Sequence, residues 1–137
     1  MDDFNVIMES GIWNYLKELK ETGKVRKMGF CSHSLEISKA FINTGLVDCF
    51  MLSVNPIYDF VKKDGVLSIS KERMDFYKEC EANGIAIHIM KSLAGGSLLN
   101  KETSQLKTGL SVINVSNMVL IDMVWRHLLL VFQILMN

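Results

Sequence analysis

The chain is predicted to be an α/β protein in which parallel strands alternate with helices, forming part of a (β/α)8 TIM barrel. A helical pattern, a glycine stop and a short apolar run follow one another three times within the first hundred residues. The apolar runs are nearly continuous, as expected of strands covered on both faces. The helical stretches between them supply the crossovers that parallel neighbours require. Such alternation fits either a doubly wound open sheet or a barrel. A complete barrel takes roughly 250 residues, and 137 residues could hold about half of one. The chain also opens on a helix, as though a strand preceded it, and we read it as a partial barrel.

The first helix is read from "IMESGIWNYLKELKETG", where Ile12, Tyr15, Leu16 and Leu19 fall on one stripe, Lys20 lies in the last turn and Gly23 ends it. "VRKMGF", from Val25, is the first strand. In "SLEISKAFINTG" Ser34 is the N-cap, Ile37 and Phe41 are one turn apart and Gly45 is the stop. "VDCFMLSV", from Val47, is a strand of buried type. "NPIYDFVKKDGVLSI" reads as an inserted loop, opened by Asn55-Pro56 and turned at Asp64-Gly65. "SISKERMDFYKECEANG" offers Ser68 or Ser70 as cap, Met74, Tyr77 and Cys80 or Glu81 along successive turns, and Asn83-Gly84 as the stop. "IAIHIM", from Ile85, is the third strand.

Residues 1–107 are expected to form the partial barrel and residues 108–137 an apolar tail. From Thr108 onward only Asp122 and Arg126 carry formal charge. The tail reads as an amphipathic helix or a membrane segment. A span needs ~20 mostly apolar residues, and Asn117, Asp122, Arg126 and His127 interrupt the run, so none is expected. A helix this apolar needs a surface to cover it.

Basic and acidic residues balance at 15 each, with a pI near 6.8. That balance argues against nucleic-acid and polybasic membrane partners, both of which need a basic face. Cys31, Cys49 and Cys80 are far apart and odd in number, so neither a metal site nor a disulfide framework is expected. A reducing, cytoplasmic setting follows. "MDDFNVIMES" begins acidic where a signal peptide would begin basic, and none is expected.

In parallel α/β proteins the functional positions lie just beyond the carboxyl ends of the strands. Here these are Cys31, Ser32, His33 and Ser34, then Ser53, Asn55 and Pro56, then Met90, Lys91, Ser92 and the "LAGG" turn. Ser34 sits where a helix cap belongs. Cys31 as a nucleophile would need a base and a lowered pKa, and a packed cysteine is the simpler role. His33 has no nameable carboxylate partner and reads as a loop residue; His88 reads as part of the barrel wall. Lys91 stands where a Schiff-base amine or a cation meeting a cofactor phosphate would be placed. Gly95 and Gly96 would let backbone N–H groups approach an anion, although "AGG" is neither a dinucleotide fingerprint nor a P-loop.

Three blocks, "LKELKETGKVRKMGFCSHS", "SVNPIYDF" and "GIAIHIMKSLAGGSLL", resemble the aldo/keto reductase family in order and spacing, from about residue 9 to about residue 100. They are most similar to its branch of predicted oxidoreductases, with "GFSSHS"-like and "MKPLAGG"-like strand ends. The resemblance implies a barrel that binds NADP(H) or NAD(H) across its carboxyl-end face and transfers a hydride to or from a small carbonyl substrate. It implies that the strands here are the fifth to seventh, that the catalytic Asp, Tyr, Lys and His of the first four strands have no match, and that Tyr15, Tyr58 and Tyr77 do not replace that tyrosine. The catalytic set is thus empty, and such a chain is expected to be inactive alone and to need another chain to complete the barrel. Cys31 and Ser32 match the Ser-Asn pair that holds the nicotinamide carboxamide, Met51 a strand-six Gln, and Met90 a Tyr stacked on the nicotinamide. Lys91, Ser92, Leu93, Ala94 and Gly95 match the pyrophosphate loop. Beyond residue 100 the resemblance fades, and the tail is expected to be out of frame or the end of a truncated product. A Schiff-base lyase using Lys91 and a non-catalytic cofactor-binding half are the alternatives.

Overall fold

The computed structural model describes residues 2–63, 66–104, 109–117 and 119. Its elements are α1 (Asp2–Glu9), α2 (Ile12–Glu21), β1 (Gly29–Cys31), α3 (Leu35–Ile42), β2 (Cys49–Ser53), α4 (Pro56–Asp59), β3 (Phe60–Lys63), β4 (Val66–Ile69), α5 (Lys71–Ala82), β5 (Ala86–Met90) and a 3-10 segment (Ala94–Leu99). The main sheet has the order β1-β2-β5, and β1 runs parallel to β2 with Gly29, Phe30 and Cys31 opposite Cys49, Phe50 and Met51. The Ala86 N–H donates to the Asp48 carbonyl (2.9 Å) before β2 starts, and the Val54 N–H donates to the Met90 carbonyl (3.3 Å) after it ends. Strand β5 therefore runs with β2, and helices alternate with parallel strands as the partial barrel requires. Two compact units divide the chain, one of residues 1–52 and 71–89, the other of residues 53–70 and 90–137.

In the first unit the leading helix is two helices. Gly11 takes a left-handed conformation (φ 81°) that a side chain would resist, and Ser10 donates its hydroxyl to the Ile7 carbonyl (3.0 Å) at the break. The bend turns Trp13 inward, leaving Leu16 and Leu19 half-buried and Ile12 and Tyr15 exposed, so only part of the expected stripe faces the core. Trp13 and Phe4 both meet Phe41 of α3, at 5.1 and 4.9 Å between ring centroids. Phe30 stacks on Phe41 at 4.1 Å, and the ring chain continues through Phe50 to Phe76 of α5. Because strand side chains alternate, the same register leaves Gly29, Cys31, Met51, Ala86 and His88 exposed. Among the described residues this face is less covered than the apolar runs predicted, although Cys49 is half-buried and Ser53 buried on it.

The first strand begins at Gly29, four residues later than Val25. The Val25 N–H donates to the Leu19 carbonyl (3.0 Å), so Val25 finishes the exit from α2. Met28 is held by Asp48, whose carboxylate accepts from the Met28 N–H (2.8 Å), Lys20 Nζ (2.6 Å) and Lys27 Nζ (2.8 Å). Lys20 also donates to the Leu46 carbonyl (2.7 Å). Helix α5 starts directly after Ser70, while Ser68 lies in β4. It buries Arg73, Phe76, Tyr77 and Cys80; Met74 is half-buried and Glu81 exposed. Arg73 donates there to the Tyr77 hydroxyl (2.7 Å) and lies 5.3 Å from that ring's centroid.

In the second unit the insertion expected to be a loop is ordered. Asn55 caps the single turn of α4, and β3 pairs antiparallel with β4, Phe60 opposite Ile69 and Lys63 opposite Val66. An Asp-Gly pair between two such runs is a hairpin signal; residues 64 and 65 themselves lie outside the described residues. The Ser70 N–H donates to the Asp59 carbonyl (2.8 Å) and closes the base of this excursion. Of the expected tail, residues 108, 118 and 120–137 lie outside the described residues, as does the boundary at 107. The Leu110 N–H donates to the Leu98 carbonyl (2.8 Å), residues 112–117 are helical and Val115 is fully buried. Among the described residues no helix is long and apolar enough to cross a membrane.

Phe41 is fully buried and touches three other rings, so Phe41→Ala is expected to lower unfolding free energy by about 3–5 kcal/mol, measured by urea denaturation. For Asp48, the hydrogen bonds from Lys20 and Lys27, the Met28 N–H and the charge of Lys20 hold the carboxyl well below its ordinary 3.8, with burial opposing them. A depressed folded-state value means stability that is fully present above the unfolded value and lost as pH falls through the folded one. Asp48→Asn should cost about 2 kcal/mol at pH 7. In urea titrations the gap between the two proteins should close progressively below about pH 4.

Candidate functional site

Three loops leave the carboxyl ends of β1, β2 and β5, where a parallel sheet keeps its chemistry. In the first, Cys31 is exposed and lies opposite Met51, itself exposed, on the sheet face away from the aromatic rings. Ser32 turns its hydroxyl into the loop and accepts from the Ser34 N–H (3.0 Å). Ser34 has an extended backbone (φ −95°, ψ 119°), and its Oγ accepts from the Ile37 N–H (3.3 Å), so it is the expected N-cap of α3. Its carbonyl accepts from the buried Ser38 hydroxyl (2.9 Å). His33 is exposed. Burial pushes the Cys80 thiol up to about 12, which suits a packed residue and not a nucleophile.

The loops after β2 and β5 meet. Asn55 is 1% exposed, and its Oδ1 accepts from the N–H groups of Ile57 (3.0 Å) and Tyr58 (3.4 Å). Its Nδ2 donates across to the Lys91 carbonyl (2.8 Å). That carbonyl also accepts from the Ala94 N–H (2.8 Å). The backbone between is unusual: Lys91 (φ 53°), Ala94 (φ 51°), Gly95 (φ 67°) and Gly96 (φ 90°) are all left-handed. A Cβ on Gly95 or Gly96 would meet nothing within 4 Å, so φ and not space calls for glycine there.

Lys91 and Gly95 are exposed, Met90 and Leu93 half-buried. The Gly96 N–H donates to the Leu93 carbonyl (2.9 Å), so it closes the turn instead of meeting an anion as expected. Lys91 is an exposed cation and the space beside Gly95 is open, side-chain chemistry and room that fit a phosphate ester. Among the described residues no group of His, Cys, Asp and Glu could hold a metal. Met90, Lys91, Leu93 and Gly95 belong to the unit containing Asn55, whereas Cys31 and Ser32 belong to the other. The bond from Asn55 to Lys91 joins positions far apart in the chain and was not legible in the sequence; the Asn-Pro step opening α4 was the available signal.

The model of the aldo/keto reductase family matches residues 3–119, a longer stretch than the three blocks of resemblance cover. No curated protein and no solved structure matches the chain. With that match over most of its length, and with parallel strands that alternate with helices, the chain belongs to the aldo/keto reductase family, a family of oxidoreductases built on the (β/α)8 barrel.

Proposed function

We propose that this chain supplies the cofactor-side part of an enzyme that reduces carbonyls with NAD(P)H or, in reverse, oxidises alcohols with NAD(P)+, of the branch of predicted oxidoreductases. Strands β1, β2 and β5 would be the fifth, sixth and seventh of the family barrel. The observation that supports this most is the loop after β5, which combines an exposed Lys91 with four left-handed residues. Lys91 would hold a phosphate of the cofactor, with Leu93 and Gly95 bordering the pyrophosphate. Cys31 and Ser32 would meet the carboxamide, and the Met90 thioether would pack against the ring. When bound, the cofactor supplies the hydride; these residues bind and orient.

The proton-handling group is proposed to lie outside the matched residues. Tyr15 and Tyr58 are exposed, and Tyr77 is buried against Arg73 in α5. The chain alone is therefore proposed to bind cofactor without turnover, to work in the cytoplasm, and to pair with another chain that completes the barrel around a small carbonyl substrate. Residues 1–107 would be the barrel part and 108–137 a tail read out of frame or from a truncated product. Schiff-base chemistry at Lys91 is disfavoured, because such an amine is activated by desolvation or a neighbouring cation, and Lys91 is exposed.

Titrating NADPH with the purified chain should give a saturable fluorescence change. Lys91→Met should weaken it about tenfold, the loss of one charge-assisted hydrogen bond. Absence of saturation, or a variant that binds as the parent does, would defeat the proposal.

A further inference from the structure

The loop that follows β5 holds two left-handed residues with side chains, Lys91 and Ala94, followed by two left-handed glycines. Left-handed conformations cost L residues energy and persist only where surrounding contacts fix them. Within this unit, Asn55 reaches the loop from outside it. Its amide is divided between two tasks: Oδ1 caps α4, and Nδ2 donates to the Lys91 carbonyl (2.8 Å). The same carbonyl takes the Ala94 N–H, so one oxygen ties both left-handed side-chain positions to Asn55. The neighbouring Val54 N–H donates to Met90, bonding the residue before the loop as well. Asn55 is almost wholly buried, so water does not replace its amide if it is removed.

We infer that Asn55 is a positioning residue: it sets the left-handed shape of residues 91–96 and through that shape the affinity for cofactor, without touching the cofactor. This rests on the reading of that loop as the cofactor's pyrophosphate loop. Asparagine is the side chain that can do both tasks, because it carries an acceptor and a donor on one planar group. Aspartate keeps the acceptor for the cap but turns a second oxygen toward the Lys91 carbonyl, where two lone pairs repel.

The two tasks separate in a pair of variants. Amide hydrogen exchange on the full chain should show Ile57 still protected in Asn55→Asp and deprotected in Asn55→Ala. The Ala94 amide should lose protection in both. NADPH binding should weaken about tenfold in Asn55→Asp, the effect of one lost buried hydrogen bond. A purely capping role predicts the opposite for Asn55→Asp: Ala94 protected and binding unchanged, and either result overturns the inference. If the parent chain gives no saturable NADPH signal, the cofactor reading falls, and with it the claim about affinity. The exchange at Ala94 then still decides whether Asn55 shapes the loop.

Discussion

The carboxylate of Asp48 is the point on which the first unit hangs. It sits just before β2, accepts from the last turn of α2 through Lys20, and accepts from the residue before β1 through the Met28 N–H. Its backbone does as much. The Asp48 N–H donates to the Met28 carbonyl (2.9 Å), and its own carbonyl takes the Ala86 N–H at the start of β5. One residue therefore aligns the beginnings of all three parallel strands. Side-chain exposures decide how the stabilisation divides: Lys27 is 77% exposed and its bond is screened, whereas Lys20 is 24% exposed and the carboxylate 17%. The inner pair, backed by the Met28 N–H, is the part that matters.

Alignment at that end fixes what the other end presents. With Phe30 opposite Phe50 and both turned to the helices, Cys31 and Met51 necessarily share the opposite face. A slip of one residue would bury the thiol and expose the rings. Cys31 and Met51 thus inherit their placement from an ion pair at the far end of their own strands.

The alternation of helix and strand was legible because it is written in local signals: Ser34 as a cap, Gly45 and Gly84 as stops, and apolar runs at Phe50 and Ile87. What escaped was tertiary or conformational. Gly11 reads as an ordinary residue in a helical pattern until its φ shows that the helix breaks there. Val25 looks like a strand residue, and only its bond to Leu19 shows that it closes a helix. Nothing local in the sequence shows that Arg73 is buried or that Tyr77, four residues on, takes its hydrogen bond. The candidate loops followed from the rule about strand ends, while the roles within them did not. Ser32 and Gly96 spend groups on shaping their own turns.

The stretch from Lys91 to Gly96 takes its form from backbone angles and from an amide outside it, and owes little of that form to its own side chains. Shape and chemical character are in this way inherited separately. Lys91 and Gly95 are both exposed and left-handed, but the first already carries a side chain at φ 53°, while a side chain at the second, φ 67°, would add strain although nothing crowds it. A lineage could thus change the charge displayed at position 91, one substitution at a time, while the contour of the loop stays as it was.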